Sequence, residues 1–424
     1  MATTESKFGS PSVDTNRTDN VASGNTGAYL AASAAINSEV REAYNAAEIT
    51  TTRRIAIFQA DGVTPWSPLN FGERAISGSI NVDSERDERR TFTLVLKNED
   101  DLLDHDPSGF WYDKVLKFYR GIKYRNALGE VKRFELQIGE FMIDSIESGS
   151  YPSNINVSGR DYTKKLLLDK LVADTSFGAG QKVDDIVKVL ATNGGITKFR
   201  LGAGGVTVGS NAAFTRKMSR WECIRKMCNA LNIEVYFDRE GFLVTRKYFD
   251  VSTSAPTVTL SNESTKSNII NFSKSSSDSR VFNHIVVTGT SEEETVSGYK
   301  YIAIRENNDV NSPTSIAKIG RRTQETEVSY LTSQTAANAL AARLFSVASL
   351  EDFSISFSMR AVPWLEVGEI LEFIDDTDSD SVPTRFLFTS FELSLAIGPL
   401  SGSGKRIVIV GTDTTPEGVD DTDE

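Results

Sequence analysis

The stretch FELQIGEFMIDSIE, residues 134–147, decides how this chain is built. Apolar side chains recur at every second residue through Phe134, Leu136 and Ile138, and again at Phe141 and Ile143, with Ile146 beyond them. Period two is the mark of a strand with one buried and one wet face. Gly139 shifts the alternation by one residue, as a β-bulge does where a strand bends around a barrel or sandwich. The same period appears upstream at Ile55 and Ile57 and at Phe92, Leu94 and Leu96. Between these strands lie turn-rich segments, DDLLDHDPSG (100–109) and KYRNALGEVK (123–132), the second reading as a hairpin with Gly129 at its turn. This first block is antiparallel β.

Working outward, the period becomes helical after SGRDYTKKLLLDKLV (158–172). Val183, Ile186, Val187 and Leu190 share one helical face, Asp184 and Asp185 occupy the first turn, and Gly194 and Gly195 stop the helix. A second helix starts at Ser219 with Glu222 three residues on, a capping box, and turns Trp221, Ile224, Cys228 and Leu231 inward. IEVYFDREGFLVTRKY (233–248) follows as a hairpin turning at DREG. A Ser- and Asn-rich connector with at most a short strand covers about 252–279, after which β-patterns resume at VFNHIVVTG (281–289) and YKYIAIRE (299–306). A helix at TSQTAANALAARLFSVA (332–348) precedes a strand in which Phe353, Ile355, Phe357 and Met359 alternate with Ser354, Ser356 and Ser358. FLFTSFELSLAI (386–397) and RIVIV (406–410) complete this second block.

The expected division is an N-terminal extended or helical arm at 1–50, a first β domain at 51–172, a middle α/β region and connector at 173–275, a second β domain at 276–411 and an acidic tail at 412–424. One helix flanks each β block, which hints at two copies of one architecture. The arm carries little large apolar surface beyond Tyr29, Leu30, Ile36, Val40 and Tyr44, so it is either a helix that docks on a neighbouring protein or an extended tail.

Composition removes several functions. A formal net charge of −12 argues against wrapping nucleic acid, which needs a basic face. The two histidines, His105 and His284, are too few for a histidine-rich zinc peptidase, and a Ser-His-Asp triad would have to use one of them. Cys223 and Cys228 sit five apart in one helical pattern and cannot pair with each other. No apolar run reaches the roughly 18 residues of a spanning helix, and MATTESKFGS lacks the pattern of a secretory signal.

The remaining motifs each have a plainer reading. DDTDSD at Asp375–Asp380 alternates carboxylates as calcium loops do, but lacks the glycine and glutamate such loops need, and reads as an acidic hairpin tip. His105, between Asp104 and Asp106, reads as solvated, and the neighbouring Phe110, Trp111 and Tyr112 either stack on a sugar or cover a barrel end. LGAGGVTVGS, with glycines at 202, 204, 205 and 209, misses the dinucleotide fingerprint and reads as a loop. No catalytic, cofactor-binding or metal-binding residue is assigned, and no cofactor.

In this order the pieces resemble the tail hub family of bacteriophages, the baseplate hub or late control protein D-like proteins related to the base of type VI secretion spikes. The resemblance rests on TFTLVLKNEDDLLD leading through DPSGFWYDKVLKFYRGIKY to FELQIGEFMIDSIE, on VSGRDYTKKLLLDKL with Gly159, Arg160 and Asp161 at the turn, on MSRWECIRKMCNALNIEVYFDREGFLVTRKY, and on FNHIVVTG with TAANALAARLF and WLEVGEIL. It covers about Arg53 to Gly411. It implies a mainly β (α+β) fold with two tail-tube-like antiparallel β-barrel domains, each with a flanking helix, joined by smaller α/β domains. It also implies a non-enzymatic structural virion protein, made in the host cytoplasm. Three copies would form a ring that adapts a sixfold tail tube to a threefold spike or tip. The implied partners are two further copies of the chain, a tube or distal tail protein above, a spike, tip or fibre protein below, and a tape measure protein. DNA would pass through the ring without sequence-specific binding, and no membrane anchor is expected. No lytic domain follows the second block, which leaves the first alternative, a tail-associated cell-wall hydrolase, without a motif; the second, a receptor-binding adhesin, would use Phe110–Tyr112.

Overall fold

The computed structural model describes residues 38–45, 50–66, 71–98, 103, 109–148, 154–209, 211–248, 255–262, 268–277, 281–290, 299–328, 331, 333–348, 352–375, 383–395 and 398–407. The chain is mostly β. Its elements run α1 (Ser38–Asn45), β1 (Thr50–Phe58), α2 (Phe71–Arg74), β2 (Ala75–Asp83), β3 (Arg90–Leu96), β4 (Val115–Arg125), β5 (Val131–Ser148) and β6 (Ile155–Arg160). There follow α3 (Thr163–Leu168), β7 (Thr175–Phe177), α4 (Val183–Asn193), β8 (Phe199–Gly202), β9 (Ala212–Phe214), α5 (Arg220–Ala230), β10 (Ile233–Phe237) and β11 (Leu243–Lys247). The last part holds β12 (Val258–Ser261), β13 (Ile269–Ser277), β14 (His284–Thr290), β15 (Tyr299–Glu306), α6 (Ile316–Ile319), β16 (Thr323–Val328), α7 (Gln334–Ala348), β17 (Asp352–Met359), β18 (Ile370–Ile374), β19 (Thr384–Ser394) and β20 (Leu400–Arg406).

Twelve strands form one sheet that curls around a single apolar core. Six come from the first β block, in the order β1-β4-β5-β6-β3-β2, and six from the second, in the order β12-β18-β19-β20-β17-β13. Numbered along the chain within each set, both orders are first, fourth, fifth, sixth, third, second. The irregularities coincide as well. β2 shifts register against β3 between Ala75 and Ser77, and β13 shifts against β17 between Ile269 and Asn271. β5 shifts against β6 between Ile143 and Ser145, and β19 shifts against β20 between Phe388 and Ser390. The two blocks are thus two copies of one topology, differing where β1 meets β4 antiparallel and β12 meets β18 parallel. β2 pairs with β19 from Ser79↔Ser394 to Asp83↔Ser390 and joins the copies edge to edge.

The bulge expected at Gly139 is present: Phe118 pairs with Gly139 and Tyr119 with Gln137, leaving Ile138 as the extra residue. A methyl group at Gly139 would lie 2.1 Å from the Phe141 ring, so only glycine lets that ring fold back under the bend. Phe141 packs with Phe92 and Phe118 at centroid separations of 5.1 and 5.4 Å. Burying each of these rings is worth roughly 1.5–3 kcal/mol.

The Ser-rich stretch read as a connector supplies β12 and β13, so the second copy begins earlier than the sequence pattern indicates. β14, β15 and β16 form a separate three-stranded sheet, and α7 packs on it. That sheet shares a second core with α4, α5, β10 and β11, through residues such as Ile285, Val287, Leu340, Trp221 and Leu190. Both helix starts are as the sequence indicates: Asp184 and Asp185 lie in the first turn of α4, and Ser219 Oγ accepts a hydrogen bond from the Glu222 amide at 3.1 Å. Cys223 and Cys228 are buried and unpaired on α5.

The described part of the arm docks on its own chain. Val40 and Tyr44 of α1 are buried with Ile122 of β4 and with Trp364, and the Tyr44 and Trp364 rings meet edge to face at 4.7 Å. Arg360 Nη1 donates to the Tyr44 carbonyl at 2.7 Å. Tyr29, Leu30 and Ile36 lie outside the described residues.

Candidate functional site

Alternation, reset at each bulge, gives the strands of the large sheet a core row and a solvent row. On the solvent row of the first copy, Ser145 of β5, Ser158 of β6, Thr93 of β3 and Ser79 of β2 stand opposite one another in register. In the second copy Ser390 of β19, Ser403 of β20, Ser356 of β17 and Ser273 of β13 do the same. The rows are tied across strands: Ser145 to Ser158 at 2.7 Å, Ser79 to Thr93 at 3.3 Å and Ser356 to Ser403 at 3.4 Å. One residue pair along, Ser275 bonds Ser354 at 2.8 Å. Short hydroxyl side chains therefore carpet one face over eight neighbouring strands, from β5 to β13. Where β2, β13, β17, β19 and β20 curve together this face forms an open trough of about 880 Å³, lined by Ser273, Ser356, Ser390, Ser401 and Ser403 and rimmed by Asp83, Arg86 and Glu88.

Cations at the margin of the face are matched by acids. Arg160 Nε meets Asp144 at 2.7 Å and its Nη1 meets Glu88. Lys164 meets Asp144 at 3.0 Å, Arg86 meets Asp83 at 3.2 Å, and Lys405 pairs with Glu85. Such exposed pairs add little stability, but they offset the positive charge of these side chains.

Behind the face, at the junction of the two copies and the middle region, lies a buried polar network. Arg89 donates to Glu234 at 2.8 Å and to the Val367 carbonyl at 2.9 Å, while its guanidinium lies over the Tyr236 ring. Arg90 is fully buried, pairs with Glu366 and donates to the Ile138 carbonyl at 3.3 Å. Glu369 accepts from the Glu366 amide at 3.2 Å, and burial together with the neighbouring Glu366 charge pushes its carboxyl up to about 8. Asp161 accepts from the amides of Arg90 and Thr163, and burial raises it to about 6.

Both shifts favour the protonated folded state. Between the ordinary glutamate value of about 4.3 and the folded value, the native chain holds a proton that the unfolded chain has lost. Stability therefore falls as pH rises through that window. Glu369→Gln keeps the hydrogen-bonding shape without the charge, so urea unfolding at pH 8 should show a gain of about 1–3 kcal/mol that vanishes near pH 4. An unchanged difference between the two pH values would contradict this.

The residues singled out from sequence are scattered. Phe110 is fully buried in the main core near Trp66, with ring centroids 6.0 Å apart, while Trp111 and Tyr112 are half-buried and meet each other edge to face. Phe110 is part of the main core and Tyr112 packs against it. His105 lies outside the described residues, as does DDTDSD apart from Asp375, which accepts from Asn262 at 2.8 Å and pairs with Lys274. His284 Nδ1 bonds Thr323 at 2.8 Å and its Nε2 lies 3.4 Å from Glu306, a tie across the small sheet. In the glycine loop Gly204 and Gly205 take positive φ, and the Ala203 amide is bound by the Asp184 carboxylate rather than turned outward. Among the described residues no cluster of three or more His, Cys, Asp or Glu is placed to hold a metal ion.

No family model matches the chain, and no curated protein matches it by sequence. Solved structures do match. The tail protein from Neisseria meningitidis MC58 aligns over 84% of this chain and 96% of its own, with TM-score 0.59 and 17% identity. This chain has a phage tail-protein fold. The 43 kDa tail protein of prophage MuSo2 from Shewanella oneidensis aligns over 83% of this chain and 98% of its own, with TM-score 0.56 and 14% identity. The prophage tail protein gp18 from Listeria monocytogenes EGD-e aligns over 83% and 94%, with TM-score 0.52 and 10% identity. At such identities the likeness is one of fold, and at that level it agrees with the tail hub resemblance carried by the order of the sequence patterns. The hydroxyl face is the least local feature of the fold. Its signal was present in Ser354, Ser356 and Ser358, but only the sheet aligns them with the serines of three other strands.

Proposed function

We propose that this tail-fold chain is the hub at the distal end of a phage tail, a non-catalytic virion component in which three copies form a ring. The observation that carries the reading is the doubled topology: two copies of one six-stranded arrangement lie side by side in one sheet. Each copy corresponds to one tail-tube-like barrel, so three chains offer six quasi-equivalent positions to a sixfold tube and true threefold symmetry to a spike, tip or fibre protein. The first copy runs from Thr50 to Arg160, starting one residue before the expected 51–172. The second draws on β12, β13 and β17–β20, and the α/β region with the small sheet decorates the ring.

The hydroxyl face suits the bore of that ring. Each phosphate captured by a lysine or arginine would release counterions and hold the duplex in place. A lining of serine and threonine whose marginal cations are already matched by acids lets DNA pass without being gripped. A tape measure protein would occupy the same bore before ejection. Cryo-EM of the particle tests the reading: the expected density for this chain is a threefold ring with both copies at one height. Sixfold or single-copy density, or two copies at different heights, would overturn it.

A further inference from the structure

In the ring proposed above, we infer that neighbouring chains join by strand addition, with β13 of one chain pairing antiparallel to the C-terminal half of β5 in the next. The template lies inside the chain. β19 pairs with β18 only through its N-terminal part, up to Leu387, and beyond the bulge its freed flank takes β2 from Ser390 to Ser394. β5 is the equivalent of β19. It pairs with β4 only up to Met142, and beyond its own bulge the ladder to β6 from Ser145 to Ser148 is, among the described residues, the strand pairing it makes. β13 is the equivalent of β2 and lies at the end of the sheet order, paired with β17 on one side. Two copies of one topology therefore present two donor strands and two acceptor flanks. One donor and one acceptor meet within the chain; of the other two, β13 ends the sheet order, and the β5 flank lies where β4 leaves off near the opposite end. Such an arrangement associates head to tail, and it makes a ring when the rotation from one chain to the next closes, as the threefold hub proposed above requires.

The side chains agree with a missing cover. Phe391, on the acceptor flank that β2 occupies, is buried, whereas its equivalent Ile146 on β5 is half-exposed. β13 is exposed along nearly its whole length, with Ile270 at 65% exposure and Lys274 as its one charge, which is poor protection for a nine-residue edge. Carrying the internal register across, Glu392↔Asn81 becomes Glu147↔Ser275, and Ser390↔Asp83 becomes Ser145↔Ser277. The hydroxyl face then runs without interruption from one chain to the next.

The test uses the full chain carrying Glu147→Cys and Ser275→Cys, both on exposed positions, under mild oxidation. Directly opposed residues of antiparallel strands lie at disulfide distance. The expected product on non-reducing gels is a covalent ladder ending at the trimer, while either single variant gives no ladder. Asn81→Cys with Glu392→Cys serves as the positive control, closing a disulfide within one chain at the template seam. If mass photometry or particle density shows a threefold ring and the double variant gives no ladder, this seam is wrong and the hub reading stands. If neither ring nor ladder forms in the assembled particle, both fall.

Discussion

Arg90→Met is expected to lower unfolding stability by about 3–5 kcal/mol, the usual cost of removing one partner from a buried ion pair. Arg90 is fully buried at the start of β3, and its guanidinium reaches Glu366 in the turn between β17 and β18. It ties the first copy to the second across 276 residues of chain. Without it Glu366 stays buried beside Glu369, with Arg239 at 4.0 Å as its remaining ion-pair partner. Methionine fills much of the volume, so the loss reports charge rather than packing. Urea unfolding measures it, and a cycle with Glu366→Gln separates the pair from each residue's other contacts, because the double variant should recover part of the loss. A single variant within about 1 kcal/mol of the parent would show that water or another group satisfies Glu366.

Gly159→Ala is the second large effect, expected at about 3 kcal/mol or more, at the upper end of what overpacking costs. A methyl group there would lie 2.0 Å from the Met142 carbonyl oxygen and 2.5 Å from the Phe92 ring. The carbonyl belongs to the β5 ladder and cannot move without breaking the pairing beside the bulge. The equivalent glycine of the second copy, Gly404, meets its nearest atoms at 3.1 and 3.2 Å. Gly404→Ala should therefore cost clearly less, and the contrast between two equivalent glycines is the readout. Equal losses at the two sites would show that the backbone, not the close contact, sets the cost.

Much of the local structure was legible. The β4–β5 hairpin turns at Gly129 with φ of +79°, the β10–β11 hairpin turns at Gly241 with φ of +76°, and Ser219 caps its helix, because turn and cap chemistry is local. β13 was not legible. IINFSKSSS is wet on nearly all sides, so alternation has nothing to act on, and its strand state comes from pairing with β17. The strands at 281–306 read as the opening of the second β block, yet they pack against the middle helices, since an apolar alternating strand does not name the core it joins.

The internal duplication lies between these cases. FMIDSIE at 141–147 and FLFTSFE at 386–392 share Phe, Ser and Glu at matching positions, with apolar residues at 143 and 388 and at 146 and 391. The apolar spacing of three in place of two marks the bulge in both, and the match carries weight only once the ladders show that Ser145 and Ser390 occupy equivalent places.

By itself the sequence determined which residues turn inward, where the helices start, where the hairpins turn and where β5 bends, because each depends on side chains within a few residues of one another. Only the tertiary structure decided that β2 seeks β19, that one core serves both copies, and that serines from distant segments form one face. Backbone hydrogen bonds between strands are the same for every residue type, so partner choice across some 300 residues is settled by how whole apolar faces close around a shared core, and no local pattern records it.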